Sequence, residues 1–303
     1  MKKEIKDHAA SVRAKLLNYS KQHGIIFNRI LIYYFQERFL YRVSISKYKN
    51  DLILKGGALL LSLNIAKSRP TQDIDFLLKR ENLDHETAKR MIKAICEIPV
   101  EDGVIFLSET ISSMNIREDN LINSLRVKFN ASLGSARSKM QIDIGFKDSV
   151  KPKPIVFNYP TILDLKAPKI VAYSWETVVA EKFEAMVKLY LFNSRLKDFY
   201  DILYLSQNVS FNSIKLKEAM SATFKKRKLN IEDAMSLFED VFTSDGNKQI
   251  QWKAFLRKSK LESDDSFLNV MKKIKQFLLP IVESLIIKSL FNKTWEVKNQ
   301  DWI

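Results

Sequence analysis

The sequence predicts an α+β protein: a mixed-sheet domain with two leading helices over residues 1–172, followed by a helical C-terminal domain over 173–303. Three observations carry that prediction. Between residues 52 and 171, short apolar segments alternate with period two, the mark of half-buried strands. From Trp175 onward the apolar residues recur at helical spacing instead. Finally, 46% of the 303 residues are hydrophobic, with only 7 glycines and 7 prolines, so there is ample material for a large core and few breakers to interrupt it.

Taken in order, residues 6–22 and 26–43 read as two packing helices, the second with Ile30, Leu31, Tyr34 and Phe35 at helical spacing. Strands are predicted at 52–55, 74–79, 104–109, 125–131 and 140–146, interrupted by a helix that Asp84 opens as N-cap and that runs to about residue 97. Helices follow at 175–191, 196–206, 213–226, 231–242, 250–257 and 266–285. The domain boundary falls near residue 172, and there is no internal repeat or low-complexity linker.

The most informative local pattern is Asp73-Ile74-Asp75. With Ile74, Phe76 and Leu78 facing inward on a strand, alternation turns both carboxylates to the opposite face. Two adjacent carboxylates repel each other, and a divalent cation between them removes the repulsion; Mg²⁺ is held by one or two carboxylates together with substrate phosphates. Just upstream, Gly56-Gly57 ends an apolar run and allows close backbone approach to a phosphate before a short helix carries Leu59 to Leu63 into the core. Asp-x-Asp alone is weak, because most such triplets are solvated turns; the Gly-Gly context turns it into a nucleotide-and-metal pattern.

The stretch Lys55, Gly56, Gly57 with Arg69, Thr71, Asp73 and Asp75 resembles the first motif of the AbiEii-like nucleotidyltransferases, toxins of type IV toxin-antitoxin and abortive-infection systems. Downstream, Tyr173-Ser174 leading into Ala180-Glu181-Lys182, then Arg195, Lys197-Asp198 and Tyr200-Asp201, is similar to a second motif, and Trp252-Lys253-Ala254-Phe255-Leu256 to a third. Together these span roughly residues 45–260 in the family's order. Ala58 stands where the broader polymerase-beta-like pattern has Gly-Ser, and Thr71 offers a hydroxyl beside the aspartates instead.

The resemblance implies a polymerase-beta-like nucleotidyltransferase fold that moves an NMP from an NTP with Mg²⁺ or Mn²⁺, Asp73, Asp75 and Asp143 being the metal ligands. It implies nucleotide contacts from Gly56, Gly57, Arg69, Thr71 and Lys182, an RNA acceptor (the 3′ end of tRNA), and a cognate antitoxin encoded nearby. Transfer to a protein hydroxyl is the alternative reaction, and a non-catalytic nucleotide- or RNA-binding module the alternative class.

The remaining candidates are placed by pattern. In Met140-Gln-Ile-Asp-Ile-Gly-Phe146 the apolar residues take one face and leave Asp143 in mid-strand on the other, where a third carboxylate could orient an acceptor hydroxyl; an exposed sheet face is the plain alternative. Asp148 falls past the strand end and reads as a turn residue. Lys182 lies near the edge of the apolar face of a helix capped by Ser174, positioned as a point charge for a triphosphate. Asp198 and Asp201 are three apart and share a helix face. By resemblance Asp198 belongs to the site; Asp201 is open between site and surface, and Arg195 and Lys197 either neutralise phosphate or pair with these acids.

Fifty Lys and Arg against 35 Asp and Glu give a net charge of +15, which favours polyanionic partners, an RNA or an acidic antitoxin. Clusters occur at Lys225-Lys226-Arg227-Lys228, at Lys253 with Arg257, Lys258 and Lys260, and at Lys272, Lys273 and Lys275; each taken singly is a solvated helix face. Cys96, the single cysteine, excludes an internal disulfide and reads as a buried thiol. Residues 1–13 carry no secretory signal and no run reaches the length of about 20 apolar residues that spans a bilayer, so the expected address is the cytoplasm. His8, His23 and His85 lack metal-ligand spacing, and neither Gly-x-Ser-x-Gly nor a P-loop occurs, so zinc, serine-hydrolase and P-loop chemistry fall away.

Overall fold

A computed structural model describes residues 8–65, 68–79, 82–118, 121–146, 150–261 and 263–303. It divides into two compact units, one formed by residues up to 66 with 70–149 and 155–172, the other by 67–69, 150–154 and 173–303.

In the first unit, two helices, α1 (His8–Gln22) and α2 (Phe27–Ile45), precede β1 (Leu52–Lys55), the short α3 (Gly56–Leu61), β2 (Asp73–Leu78) and α4 (His85–Cys96). Asp84 caps α4 by accepting from the Thr87 N–H. Then come β3 (Val104–Glu118), β4 (Leu121–Leu133), β5 (Ala136–Gly145), β6 (Ile155–Asn158) and β7 (Lys169–Ala172). The seven strands form one mixed sheet in the order β3-β4-β5-β2-β1-β7-β6, with β2–β5 and β1–β7 parallel and the other pairs antiparallel.

One sheet face carries the core. Leu125, Val127, Phe129, Ile142, Ile144, Ile74 and Phe76 are buried, and Phe39 of α2 meets Phe106 and Phe129 with ring centroids 5.7 Å away in each case. Helix α2 is buried nearly all round, and three of its buried charged residues find partners, whereas the amide of buried Gln36 accepts and donates no hydrogen bond among the described residues. Arg42 forks onto Asp102 at 2.7 and 3.2 Å, and Glu37 accepts from the Ile162 N–H at 2.6 Å beside Arg38. Cys96 is buried, and burial pushes its thiol up to about 12.

Several expectations need correcting. The strands expected at 104–109 and 125–131 run on as a long antiparallel ribbon, paired as far as Glu118 with Leu121; the half-exposed polar residues of 108–116 gave no apolar alternation to extend them. Strands β6 and β7 were not anticipated, each being four residues long and β6 an edge strand with mostly exposed side chains. The start of the first helix at residue 6 and the turn expected at Asp148 lie outside the described residues.

The second unit is mainly helical: α5 (Trp175–Leu189), α6 (Leu196–Asn208), α7 (Ser213–Arg227), α8 (Asp240–Thr243), α9 (Gly246–Ser259) and α10 (Phe267–Ile286). The helix expected over 231–242 is instead a 3₁₀ segment, Ile231–Phe238, followed by α8, and its buried Ala234 and Leu237 stand three apart, the 3₁₀ period. Helix α5 stops at Leu189, where Tyr190 takes φ 42° and opens a 3₁₀ turn, Tyr190–Phe192. A small sheet also escaped pattern reading, its strands β8 (Phe211–Asn212), β9 (Thr294–Glu296) and β10 (Asp301–Trp302) being too short to show a period. It forms an aromatic clasp: Trp295 donates to the Ser206 carbonyl at 2.7 Å, Trp302 donates to that of Phe277 at 2.9 Å, and both rings pack on Phe277. Among the described residues no helix is long and apolar enough to cross a membrane.

Candidate active site

Strand register assembles the acidic group of the first unit. Asp75 pairs with Asp143 across the parallel β2–β5 ladder, and Asp73 with Gln141. Neighbouring strands lie about 4.8 Å apart and paired residues share a face, so Asp75 and Asp143 stand side by side with Asp73 two residues along β2. Extending that row, Asp143 pairs with Arg126 on β4, and Asp75 with Lys55 on β1. Four adjacent strands thus present Arg126, Asp143, Asp75 and Lys55, two carboxylates flanked by two cations, on the face opposite the core.

Arg126 grips Asp143 with both arms of its fork, Nε to Oδ1 at 2.8 Å and Nη2 to Oδ2 at 2.7 Å. Its hydrogen bonds to Asp143 raise its pKa above the usual arginine value despite partial desolvation, and the charges of Asp143, Asp73 and Asp75 add to that. Among the described residues no group of three or more carboxylate, histidine or cysteine side chains is arranged to hold a metal ion. A pair of carboxylates with substrate phosphates is enough for Mg²⁺, so Asp73 and Asp75 suit the ion, while Asp143 is engaged by a guanidinium that stands in as its cation.

Gly56, at φ +66°, fits for a reason that pattern alone did not supply: a Cβ there would lie 2.7 Å from Cγ of Asp75 and overlap its carboxylate. The backbone at Gly56 therefore approaches the aspartate itself. Gly57 is buried behind it, and the Thr71 hydroxyl lies 3.4 Å from the Asp73 carbonyl.

The second unit holds a separate polar cluster, built on α5 and α6. Ser174 caps α5 by accepting from the Thr177 N–H. Lys182, two turns in, donates to Asp198 Oδ1 at 3.0 Å and also pairs with Asp201, whose carboxylate receives the whole fork of Arg69 at 2.8 and 2.8 Å. Arg195 closes on the other oxygen of Asp198 at 2.9 Å. Asp201 is thus no surface acid: it and Asp198 are each 1% exposed. Burial works against the charge of Lys182, but Asp198 and Asp201 outweigh it and lift its pKa above the usual lysine value. Burial likewise opposes the Asp198 carboxylate, yet Lys182 and then Arg195 override it and hold its pKa below the ordinary value. Lys197 lies on the other side of the balance, its pKa lowered mainly by desolvation. With three cations on two carboxylates, the cluster retains positive charge.

A family model described as "Nucleotidyl transferase AbiEii toxin, Type IV TA system" matches residues 38–277, most of the chain and both clusters. The chain belongs to the AbiEii family. It is a nucleotidyltransferase of a toxin family, for which a nucleotide substrate and an antitoxin are implied. Comparison with curated proteins returns no match. Among solved structures, MenT4, a nucleotidyltransferase toxin from Mycobacterium tuberculosis H37Rv, aligns with TM-score 0.52 at 14% identity, over 91% of this chain and 98% of its own. JHP933 from Helicobacter pylori aligns with TM-score 0.50 at 14% identity, over 84% of this chain and 91% of its own. At that identity the likeness is one of fold: a nucleotidyltransferase sheet with a helical C-terminal region.

The third AbiEii-like motif is a buttress. Trp252 is buried, donates to the Asp265 carbonyl at 2.9 Å, and packs with Phe255 against Tyr200, which directly precedes Asp201 on α6. Buried Lys248 donates to the carbonyls of Leu191 at 2.8 Å and Asn193 at 2.6 Å, bracing the turn that leads to Arg195. Sequence reasoning missed Lys248, and it also missed Arg126. Alternation on the predicted strand 125–131 already sets Arg126 apart from Leu125, Val127 and Phe129; nothing in the sequence says which strand it pairs with.

Proposed function

We propose that this AbiEii-family toxin transfers an NMP from an NTP to an RNA acceptor, the 3′ end of tRNA, in the cytoplasm and with Mg²⁺ or Mn²⁺. The observation that carries the reading is the strand register that sets Asp75 beside Asp143, with Asp73 two residues along the same face. Gly56 adds support, since its missing side chain is what lets the backbone come up to Asp75.

In this reading Asp73, Asp75 and Asp143 are the metal ligands, and a bound divalent cation supplies charge neutralisation for the attacking and leaving oxygens of an in-line displacement at the α-phosphate. Gly56, Gly57, Arg69 and Thr71 contact the nucleotide. Lys182, kept protonated by its two aspartates, supplies fixed positive charge for the triphosphate; Asp198 positions it and Asp201 fixes Arg69. The division of labour is a 1–172 domain carrying the carboxylates and a 173–303 domain contributing Lys182 and Asp198.

The test is to incubate the purified protein with each α-labelled NTP, total RNA and lysate protein, with and without chelator. Label in the tRNA fraction that chelator abolishes is expected. Label in protein instead would establish transfer to a side-chain hydroxyl, and no label in either fraction would leave binding without turnover. A neighbouring reading frame encoding the antitoxin is expected, and its product should suppress the growth arrest.

A further inference from the structure

Among the described residues of the first unit are two arginine–aspartate forks, and they differ in a way that assigns a role to one of them. Arg42 and Asp102 are 3% and 1% exposed, and Arg42 also donates to the carbonyls of Ile98, Arg38 and Val104 while Asp102 accepts from the Val104 N–H. That pair is locked into the core. Arg126 and Asp143 are 31% and 15% exposed, and among the described residues the guanidinium hydrogen bonds of Arg126 go to Asp143. An arginine stem on a strand surface can swing out by side-chain rotation alone, leaving the sheet ladder untouched.

We propose that Arg126 is a positioning residue that occupies Asp143 as a built-in monovalent cation, so that a divalent ion gains the third carboxylate only as the guanidinium leaves. The inference rests on the metal reading of Asp73, Asp75 and Asp143 given above. Both oxygens of Asp143 face the fork, and the row Arg126, Asp143, Asp75, Lys55 places that fork one strand beyond the carboxylate it would yield. A guanidinium and a divalent ion repel each other, so both cannot hold Asp143 at full strength. With Arg126 in place, the repulsion among three clustered carboxylates is relieved without a metal. Once it has swung out, the same three carboxylates face the ion together. Arg126 thereby weakens metal binding and ties it to one movable side chain.

The experiment measures Mn²⁺ binding without nucleotide, from the electron paramagnetic resonance signal of free Mn²⁺, for the full chain and for Arg126→Gln, Asp143→Asn and the double variant. Arg126→Gln is expected to bind Mn²⁺ about tenfold more tightly than wild type, with the gain falling below threefold when Asp143 is also replaced. Arg126→Lys keeps the charge, loses the fork and is expected to fall between; it serves equally if Arg126→Gln melts early. A gain of threefold or less at position 126, or an equal gain with and without Asp143, overturns the proposal while leaving the metal reading in place. Absence of Mn²⁺ binding in every protein without nucleotide overturns the proposal, and its absence again with NTP present overturns the metal reading as well.

Discussion

The sheet face of the first unit and the α5–α6 cluster of the second use the same chemistry, carboxylates matched with cations, at different depths. Asp143 is 15% exposed and its arginine 31%, whereas Asp198 and Asp201 are each 1% exposed. A half-exposed pair gains little from its charges and can exchange partners with solvent or an ion. A buried cluster cannot: desolvation makes each remaining charge costly once its partner is gone, so the network is rigid and all its members depend on one another. The difference separates a face suited to recruiting an ion from a scaffold suited to holding a lysine charged.

The largest effect expected is on catalysis at the exposed face. Asp73→Asn and Asp75→Asn should each lower label transfer by about 10³-fold or more and relieve growth inhibition, while the melting temperature stays near wild type, since neither change removes packed volume. A variant that remains toxic would falsify the ligand role.

Next in size is the opposite outcome at the buried cluster. Asp201→Ala leaves Arg69 and Lys182 without their shared carboxylate and should cost about 3–5 kcal/mol of stability, read by denaturant unfolding. A loss below about 1 kcal/mol would remove the contrast between the two regions. The pH dependence has a definite sign. With its pKa depressed in the fold, Asp198 stabilises above its unfolded value of about 4, and this is lost as pH falls through the folded value. Lys182, with its pKa raised, stabilises below about 10 and loses this as pH climbs through its folded value. Asp198→Asn should flatten the acid limb of that profile.

A smaller effect is expected from the exposed residues Lys225, Lys226, Arg227 and Lys228 at the end of α7. Changing all four to glutamine should weaken RNA binding and make the slope of log affinity against log salt shallower by roughly 0.7 per lost contact, with NTP binding unchanged. An unaltered slope would make this cluster a solvated helix end that complements the helix dipole.

Much of this architecture was legible beforehand, and what was not shares a cause. Period-two alternation located Asp73, Asp75 and Asp143 on strand faces, and the cap residues Asp84 and Ser174 located two helix starts. Strand order carries no signature in a single sequence, so Arg126 could be placed on a polar face but not beside Asp143. Arg69, assigned to the nucleotide from its motif, reaches Asp201 across 132 positions, a contact that no local pattern announces. The short strands β8, β9 and β10 fall below the length at which any period shows.

A pH-dependent effect concerns Glu37 on α2, whose burial raises its pKa to about 7 against the pull of Arg38 and the Ile162 N–H. The folded chain therefore binds that proton more tightly than the unfolded chain, so this group's stabilisation is full below about 4.5 and declines as pH rises to about 7. Wild type should lose about 2–3 kcal/mol relative to Glu37→Gln between pH 5 and pH 8. Parallel melting curves for the two proteins would exclude the contribution.

The aromatic clasp gives the molecule an uneven optical character. All four tryptophans, Trp175, Trp252, Trp295 and Trp302, fall within residues 173–303, and three of them are buried there. Ultraviolet emission excited at the indole band therefore watches the second unit and is blind to the first. A substitution on the sheet face that lowers circular dichroism on heating before the emission shifts has melted the carboxylate-bearing half alone, and the protein reports that order of events without any attached dye.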